Sequence, residues 1–235
     1  MFYKINTGTS IAAVLIEEGI RFGAVIAVYI VSALLAAVGL VTTTRTGGTG
    51  RLGDAFAAAF GHTTYILSLI SGLGLMPLTM GFQNWFRRSI YEKTPLSEIF
   101  AFYTGGRLLG SVGTQLLMSL YTFLWTLLFI VPGIIKTYSY SQTIFIKAEN
   151  PDIPASRAIE LSQIMMVGHK WDLCVFQFTF LGWMLLSAVT YNILGIVYVF
   201  PYYYAALAFA YEEIKMDAAS RGLIDLAEIS PRTQF

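Results

Sequence analysis

The stretch from Trp125 to Trp183 determines how this chain folds. It contains two apolar runs that meet at WTLLFIVPG (residues 125–133), a polar bend at NPD (150–152), and a third apolar run that opens with GHKW (168–171). A proline ends a helix, and a polar bend between apolar runs lies most favourably in water. The stretch therefore predicts a re-entry into a bilayer, a turn on the water side and a return.

The composition places the chain in a membrane. Of its 235 residues, 56% are hydrophobic and only 12% are charged, which is more apolar surface than one soluble core can bury. The charged residues lie between apolar runs of about 15–24 residues, a length that suits helices crossing roughly 30 Å of hydrocarbon. The strict alternation of a membrane β-barrel is missing. The sequence therefore predicts an all-α fold, a polytopic bundle of transmembrane helices.

Six apolar runs are predicted to cross the bilayer within a single transmembrane domain, residues 1–215. These runs are residues 23–41, 65–86, 108–131, 134–148, 173–191 and 194–211. The fourth run holds only about 15 residues, so it is either a tilted crossing whose Lys147 reaches the surface or a re-entrant helix. Residues 1–22 are predicted to form an amphipathic interfacial helix, residues 42–64 a loop with a short surface turn, and residues 216–235 a polar tail. An even number of crossings puts both ends of the chain on one side.

The basic residues predict which side that is. Under the six-span arrangement, 12 of the 15 lysines and arginines fall on the side of the two termini. The remaining three are Arg45, Arg51 and Lys136. Loops that stay in the cytoplasm carry an excess of Lys and Arg. Both termini are therefore predicted to be cytoplasmic, and the helix expected over residues 150–169 lies on the same side.

The sequence predicts no metal site, cofactor or nucleic-acid surface. The two histidines, His62 and His169, lie in different loops and have no ligand at metal-binding spacing. The glycine-rich run at residues 47–50 lacks the preceding strand and the Lys-Ser/Thr pair of a phosphate loop. A net charge of +1 argues against nucleic acid as a partner. Cys174 lies inside an apolar run and is predicted to be a small buried thiol.

Six basic residues form the main candidate for a binding surface. Four lie in the loop after the second run and two lie around the helix expected over residues 150–169: Arg87, Arg88, Lys93, Arg107, Arg157 and Lys170. A cation near a membrane surface attracts anionic headgroups by about 1 kcal/mol before screening. The positive-inside rule would also place these basic residues on the cytoplasmic side, whether or not they bind lipid. The sequence leaves open whether they bind lipid or only set the topology.

Several motifs together resemble a known family. They are LWTLLFIVPGIIK (124–136), YSYS (138–141), ENPD (149–152), GHKW (168–171), GW (182–183) and PY (201–202). In combination they resemble the bacterial integral-membrane family catalogued as domain of unknown function 975. They are more distantly similar to the membrane domain attached to some glycerophosphoryl diester phosphodiesterases. The resemblance covers residues 108–215 and implies a multi-span protein of the bacterial cytoplasmic membrane. It carries over no catalytic residue, because that family has no settled activity.

Seven residues of these motifs are predicted to have structural roles. They are Pro132, Gly133, Gly168, Trp171, Gly182, Trp183 and Pro201. Pro132 and Gly133 are predicted to close a tight outer turn between the third and fourth segments, because proline ends a helix and glycine accepts turn geometry. Trp171 is predicted to mark the membrane interface where the fifth segment begins.

Three classes of function remain. A membrane enzyme would need paired carboxylates, a metal cluster or a nucleophile with a base, and the carboxylates here lie scattered at segment ends. A transporter usually keeps ionisable groups within its spans, whereas these spans offer Gln115, Gln142, Gln177 and Asn192. The preferred prediction is a non-catalytic membrane protein that binds anionic lipids, or that supports a membrane-protein partner or a second copy of itself. The alternative is a transporter or channel-like protein for a neutral or lipid-like solute.

Overall fold

The computed structural model describes residues 7–45 and 52–230. Within these two ranges all regular structure is helical and no β-strand occurs, so the predicted all-α class is confirmed. The chain divides into two compact units, one of which is Ile16–Met76. The other contains Met1–Leu15 and Pro77–Phe235, and each unit is described by itself below.

The smaller unit is built from the greater parts of two long helices. Helix α1 runs over Thr7–Arg45 and helix α2 over Leu52–Arg88. Because α1 contains no proline, it continues without a break through the predicted boundary between an interfacial helix and a first span. The predicted loop over residues 42–64 is wrong at residues 42–45, which belong to α1, and from residue 52 onward, where α2 has already begun. The glycine-rich run at residues 47–50 lies outside the described residues.

The larger unit contains the end of α2 and a succession of shorter helices. A 3₁₀ helix, Leu96–Tyr103, is followed by α3 (Arg107–Leu128), α4 (Ile130–Tyr140), α5 (Thr143–Glu149) and α6 (Ala155–Met165). Next come α7 (Lys170–Val189), a π-helical turn (Gly195–Val199), α8 (Phe200–Ser220) and α9 (Leu226–Ile229). Helices α3, α4, α5 and α6 pack on one another, and the π-helical turn packs on α7 and α8.

Four helices are long and apolar enough to cross a membrane, which indicates a membrane protein. They cover Gly8–Val38, Ala58–Arg88, Arg107–Leu128 and Lys170–Val189. The predicted count of six is not confirmed. The predicted span over residues 134–148 is divided between α4 and α5, each too short to cross alone. The predicted span over residues 194–211 begins in the π-helical turn and continues into α8.

The core of the larger unit lies where the end of α2 meets the 3₁₀ helix, α5, α6 and α8. All of the bulkiest fully buried side chains except Ile90, which follows α2, belong to these elements, and they include Trp85, Phe86, Phe102, Phe145 and Tyr211. The apolar side chains of α3 and α7 are mostly exposed. Exposed apolar helices beside a packed core are expected when lipid covers the helices.

The turn between α3 and α4 differs from the prediction. The chain reverses at Phe129, whose backbone is extended, and Pro132 and Gly133 lie inside the first turn of α4. Proline is accepted there because the first turn of a helix needs no internal donor. Gly133 is needed for a different reason. A Cβ atom on it would come within 2.8 Å of the Cα atom of Thr126 on α3, so the glycine permits close helix packing.

The other motif residues occupy varied positions. Gly168 has a φ of 95°, a left-handed conformation that favours glycine, and it leads from α6 into α7. Trp171 is 73% exposed in the first turn of α7, as an interfacial tryptophan would be. Trp183 lies on the same helix with its ring 5.9 Å from that of Tyr198. Pro201 is buried in the first turn of α8.

Replacing Gly133 by alanine is expected to destabilise the protein, because the added methyl group would collide with the backbone of α3. Forcing an extra carbon into a packed contact typically costs about 1–3 kcal/mol. Gly182→Ala is the matched control, since a Cβ atom on Gly182 would meet nothing within 4 Å. Thermal unfolding in detergent should show a lower midpoint for the first variant only. Equal midpoints for both variants would contradict the close packing of α3 on α4.

Candidate functional site

Four charged side chains meet at one end of the larger unit. Arg87 Nη1 lies 3.6 Å from both Glu149 Oε1 and Glu212 Oε1. Lys215 Nζ lies 3.1 Å from Glu149 Oε1 and 2.7 Å from Glu212 Oε2. The four side chains are only 7–14% exposed. Two cations and two carboxylates balance in charge, which is the condition under which buried ions are tolerated. We call these four residues the ionic cluster.

Local structure brings the members of the ionic cluster together. Arg87 belongs to the last turn of α2, and Glu149 is the last residue of α5, which ends just before the loop that contains Pro151. Glu212 and Lys215 are three residues apart on α8, so they share one helix face. The cluster therefore links three helices that are far apart in the sequence.

Glu149 has the largest number of partners in the cluster. The hydroxyl of Tyr211 donates to Oε2 over 2.7 Å, and the hydroxyl of Ser230 donates to Oε1. Burial on its own would raise the pKa of Glu149. Arg87 and Lys215, together with the hydroxyls of Ser230 and Tyr211, outweigh that effect and hold the pKa below its usual value. Glu149 is thus an ionised carboxylate fixed inside the protein.

Tyr91 extends the cluster toward solvent. Its hydroxyl is hydrogen-bonded to Glu212, and burial together with that carboxylate raises the pKa of Tyr91 to about 12. The side chain of Asn84 accepts a hydrogen bond of 3.1 Å from Arg87 Nη2. Both contacts hold the end of α2 in place.

Lys147 has a role that differs from the predicted one. One of the two predicted alternatives required it to reach the surface, but it is buried, and its ammonium group donates to the carbonyls of Pro151 and Ile153 over 2.7 and 2.6 Å. These carbonyls belong to the loop between α5 and α6, where helix ends leave acceptors without helical partners. Lys147 therefore fixes the polar bend that follows Glu149.

The residues predicted to form a polar tail are folded as far as the structure describes them. Helix α8 continues to Ser220, and α9 packs against the loop after α5. Asn150 Nδ2 donates to the carbonyl of Glu228 over 2.9 Å. Arg157 pairs with both carboxylate oxygens of Glu228 over 2.6 and 2.9 Å. Ile229 is fully buried, and the hydroxyl of Ser230 donates to Glu149, so this segment contacts the ionic cluster.

The six predicted lipid-binding cations separate into two groups. Arg87, Arg88 and Arg157 are engaged by carboxylates. Arg88 lies 2.7 Å from Glu92 and 3.1 Å from Glu98. The other three, Lys93, Arg107 and Lys170, pair with no carboxylate among residues 7–45 and 52–230. Lys93 and Arg107 are exposed and Lys170 is half-buried.

Lys136 was placed on the outer side by the charge count. Its ammonium group donates to Gln163 Oε1 over 2.9 Å and lies 4.9 Å from the ring centre of Trp125. Gln163 belongs to α6, within the segment predicted to lie on the cytoplasmic side. A hydrogen bond cannot join opposite sides of a bilayer, so the outer placement of Lys136 and the inner placement of Gln163 cannot both hold.

Sequence reasoning missed the ionic cluster. It noted that Glu149 and Glu212 lie at segment ends but treated them as scattered. One signal was present in the sequence, because Glu212 and Lys215 are spaced to share a helix face close to the last apolar run. Nothing in the sequence indicated that Arg87 and Glu149 would meet on that face.

The fold and the cluster define a helical membrane protein with a charged, packed end. Residues 116–218 match a family model described as protein of unknown function (DUF975). This match confirms the predicted resemblance over that segment, which includes Glu149, Glu212 and Lys215. No curated protein and no solved structure shows a significant similarity to the chain.

Glu149→Gln should weaken the fold at neutral pH, because Arg87 and Lys215 would then share a single carboxylate. Removing one partner of a buried ion pair typically costs about 3–5 kcal/mol. Since the folded pKa of Glu149 is depressed, its contribution is present above the pKa of an unfolded glutamate and is lost as the pH falls through the folded value. The melting temperature of the parent should therefore decrease on acidification.

The Glu149→Gln variant should have a lower melting temperature at neutral pH than the parent. Its melting temperature should also decrease less than that of the parent as the pH is lowered. Glu213→Gln is the control, since Glu213 is the exposed neighbour of Glu212 on α8. The measurement is thermal unfolding in detergent across a pH series. If the melting temperature of Glu149→Gln fell as steeply on acidification as that of the parent, Glu149 would not be the source of the pH dependence.

Proposed function

We propose that this chain is a multi-pass protein of the bacterial cytoplasmic membrane that binds anionic lipid headgroups at its charged end and catalyses no reaction. The observation that carries the proposal is the division of the six predicted cations. Three are held by carboxylates and stabilise the fold, whereas Lys93, Arg107 and Lys170 have no carboxylate partner among the described residues. Cations without partners beside apolar helices attract anionic headgroups.

The side on which these cations lie follows from the contacts between helix ends. The ionic cluster brings together the ends of α2 and α5 and the face of α8. His169 Nε2, just before α7, lies 2.9 Å from Asp217 Oδ2 near the end of α8. The chain therefore returns to one polar end after α3, α4 and α5, and again after α7 and α8. These returns support six membrane segments, in which α4 and α5 together make one crossing. Lys136 then lies within that crossing and not in an outer loop, since it contacts Gln163 of α6.

Residues 130–149 contain enough chain for that crossing. Twenty helical residues extend about 30 Å, the thickness of the hydrocarbon core. The positive-inside rule then assigns the charged end, with both termini, to the cytoplasm. Ser162 supports the broken helix, because its hydroxyl donates to the carbonyl of Ser139 over 2.8 Å and accepts from the backbone N–H of Gln142 over 3.2 Å.

A second candidate function is a route for a neutral polar or lipid-like solute. It is favoured by a group of buried polar residues in α3, α4 and α5. Gln142 Oε1 and Thr143 Oγ1 are buried and have no hydrogen-bond partner among the described residues. A buried acceptor without a partner is costly, and a bound water or solute would satisfy it. Uptake of labelled glycerol into proteoliposomes, compared with empty vesicles, would decide this candidate, and equal uptake would remove it.

The orientation is tested with a single cysteine at Ser156, which is exposed at the start of α6, in a chain whose Cys174 is replaced by serine. A membrane-impermeant maleimide added to intact cells should leave this cysteine unlabelled. The same reagent should label it in inside-out membrane vesicles, because the charged end faces the cytoplasm. Labelling in intact cells would contradict the cytoplasmic assignment.

The lipid site is tested by changing Lys93, Arg107 and Lys170 together to glutamine. Each cation contributes about 1 kcal/mol near a charged surface, so the preference for phosphatidylglycerol over phosphatidylcholine should fall about five-fold per residue. Bound lipids are counted by native mass spectrometry after equilibration in mixed micelles of the two lipids. The melting temperature should change little, because these side chains form no described ion pair.

The control removes the same net charge from the paired cations, Arg88, Arg157 and Arg221. Arg221 Nη2 lies 2.7 Å from Asp217 Oδ2, and its exposure is similar to that of Arg88 and Arg157. This variant should lose stability and keep its preference for the anionic lipid. An equal loss of preference in both variants would mean that net charge alone attracts the lipid, and an unchanged preference in the first would refute the site.

A further inference from the structure

The 3₁₀ helix over Leu96–Tyr103 has two different faces. Because a 3₁₀ helix has about three residues per turn, every third side chain lies on the same face. Ile99 and Phe102 lie on the inner face and are buried. Ser97, Phe100 and Tyr103 lie on the outer face and are exposed, with Phe100 at 40% and Tyr103 at 38%. The rings of Phe100 and Tyr103 have their centres 6.4 Å apart. The hydroxyl of Tyr103 is hydrogen-bonded to the backbone of Leu78 on α2, so in this aromatic pair Phe100 is the ring that faces outward and Tyr103 is tied to α2.

Contacts with α2 hold the inner face of the 3₁₀ helix. Gly81 lies so close that a Cβ atom on it would come within 2.8 Å of the carbonyl carbon of Ile99. Arg88 Nη1 lies 3.1 Å from Glu98 Oε2. Trp85 Nε1 donates to the carbonyl of Thr94 over 3.1 Å. These contacts fix which side chains point outward, so the aromatic pair is a constant feature of the surface.

The surroundings of the aromatic pair identify what covers it. Lys93 precedes the 3₁₀ helix and Arg107 follows it, and both are exposed cations. The apolar surface of α3 begins directly afterwards, with Leu109 81% exposed. Since α3 is one of the candidate spans, lipid must cover its apolar surface from this point onward. The outer face is thus continuous with a lipid-covered surface and has a positive charge at each end.

We infer that the outer face of the 3₁₀ helix is a membrane anchor that inserts Phe100 into the headgroup layer of the bilayer, with Tyr103 beside it at the protein surface. Aromatic side chains are favourable at this depth because they combine an apolar ring with tolerance of the polar interface. Lys93 and Arg107 contact lipid phosphates on either side of the rings. The preference of these two cations for anionic lipid rests on the proposed function, whereas the insertion of Phe100 does not.

The test uses the full chain with Cys174 replaced by serine and one new cysteine that carries a bimane label. Phe100→Cys places the label on the outer face of the 3₁₀ helix, and Ser220→Cys places it at the exposed end of α8 as a control. Both proteins are reconstituted into vesicles of phosphatidylcholine and phosphatidylglycerol that contain a lipid with a doxyl quencher near the headgroup. The label at residue 100 should emit at a shorter wavelength than it does in water, and the doxyl lipid should quench it. The label at residue 220 should emit as in water and remain unquenched.

Ser97→Cys gives the same readout one turn earlier without removing a ring, in case Phe100→Cys does not fold. Emission as in water and absence of quenching at both outer positions would overturn the anchor. Quenching at residue 100 or residue 97, with residue 220 unquenched, would support it.

A last comparison separates the anchor from the proposed function. Lys93 and Arg107 are both changed to glutamine, which should lower the preference for phosphatidylglycerol about five-fold per cation. The label at residue 100 should remain quenched in vesicles of phosphatidylcholine alone. Quenching in a protein without any anionic preference would refute the proposed function and leave the anchor. An anionic preference with an unquenched label would refute the anchor and leave the proposed function.

Discussion

An ionised carboxylate removed from water is stable only when the protein replaces the hydration that it has lost. Glu149 meets this requirement through two cations and two hydroxyl donors, and each of the elements that provide them is needed. Arg87 comes from α2, Tyr211 and Lys215 come from α8, and Ser230 follows α9. If any one of these elements moved away, the others would retain buried charge without sufficient compensation. The positions of α2, α5 and α8 relative to one another therefore depend on this one side chain.

The two ends of the larger unit are stabilised by different forces. At the charged end, aromatic side chains such as Trp85 and Phe86 are fully buried and pack as in a soluble protein. Away from it, the apolar side chains of α3 and α7 are exposed and gain little from contact with each other, because lipid is as apolar as they are. Close approach between helices there requires small residues, as at Gly133. The hydrophobic effect thus drives packing at the charged end, whereas the apolar helices α3, α4 and α7 depend on close fit between their surfaces.

The sequence was sufficient for the fold class because hydropathy and charge spacing follow directly from the thickness of a bilayer. For Gly168 it predicted a structural role but not the left-handed backbone, with a φ of 95°, that the residue adopts between α6 and α7. It failed for Gly133, because a Pro-Gly pair has the same appearance at a turn and inside the first turn of a helix. It failed for Glu149 because burial of that charge depends on Tyr211 and Lys215, which lie more than sixty residues away. The division of lipid-binding from structural cations likewise depended on tertiary contacts, since Arg88 and Lys93 are alike in composition and location.

The contacts of Glu149 also impose an order of events on biosynthesis. The ribosome completes α2 and α5 before it has made Tyr211, Lys215 or Ser230, which follow Glu149 by 62, 66 and 81 residues. Of the cluster partners that Glu149 has in the folded structure, only Arg87, which lies 3.6 Å from it there, has been made by that stage. Because an ionised carboxylate without partners is stable only in water, we expect this region to stay hydrated until α8 has been made. Closure of the charged end therefore has to wait for the last helices of the chain.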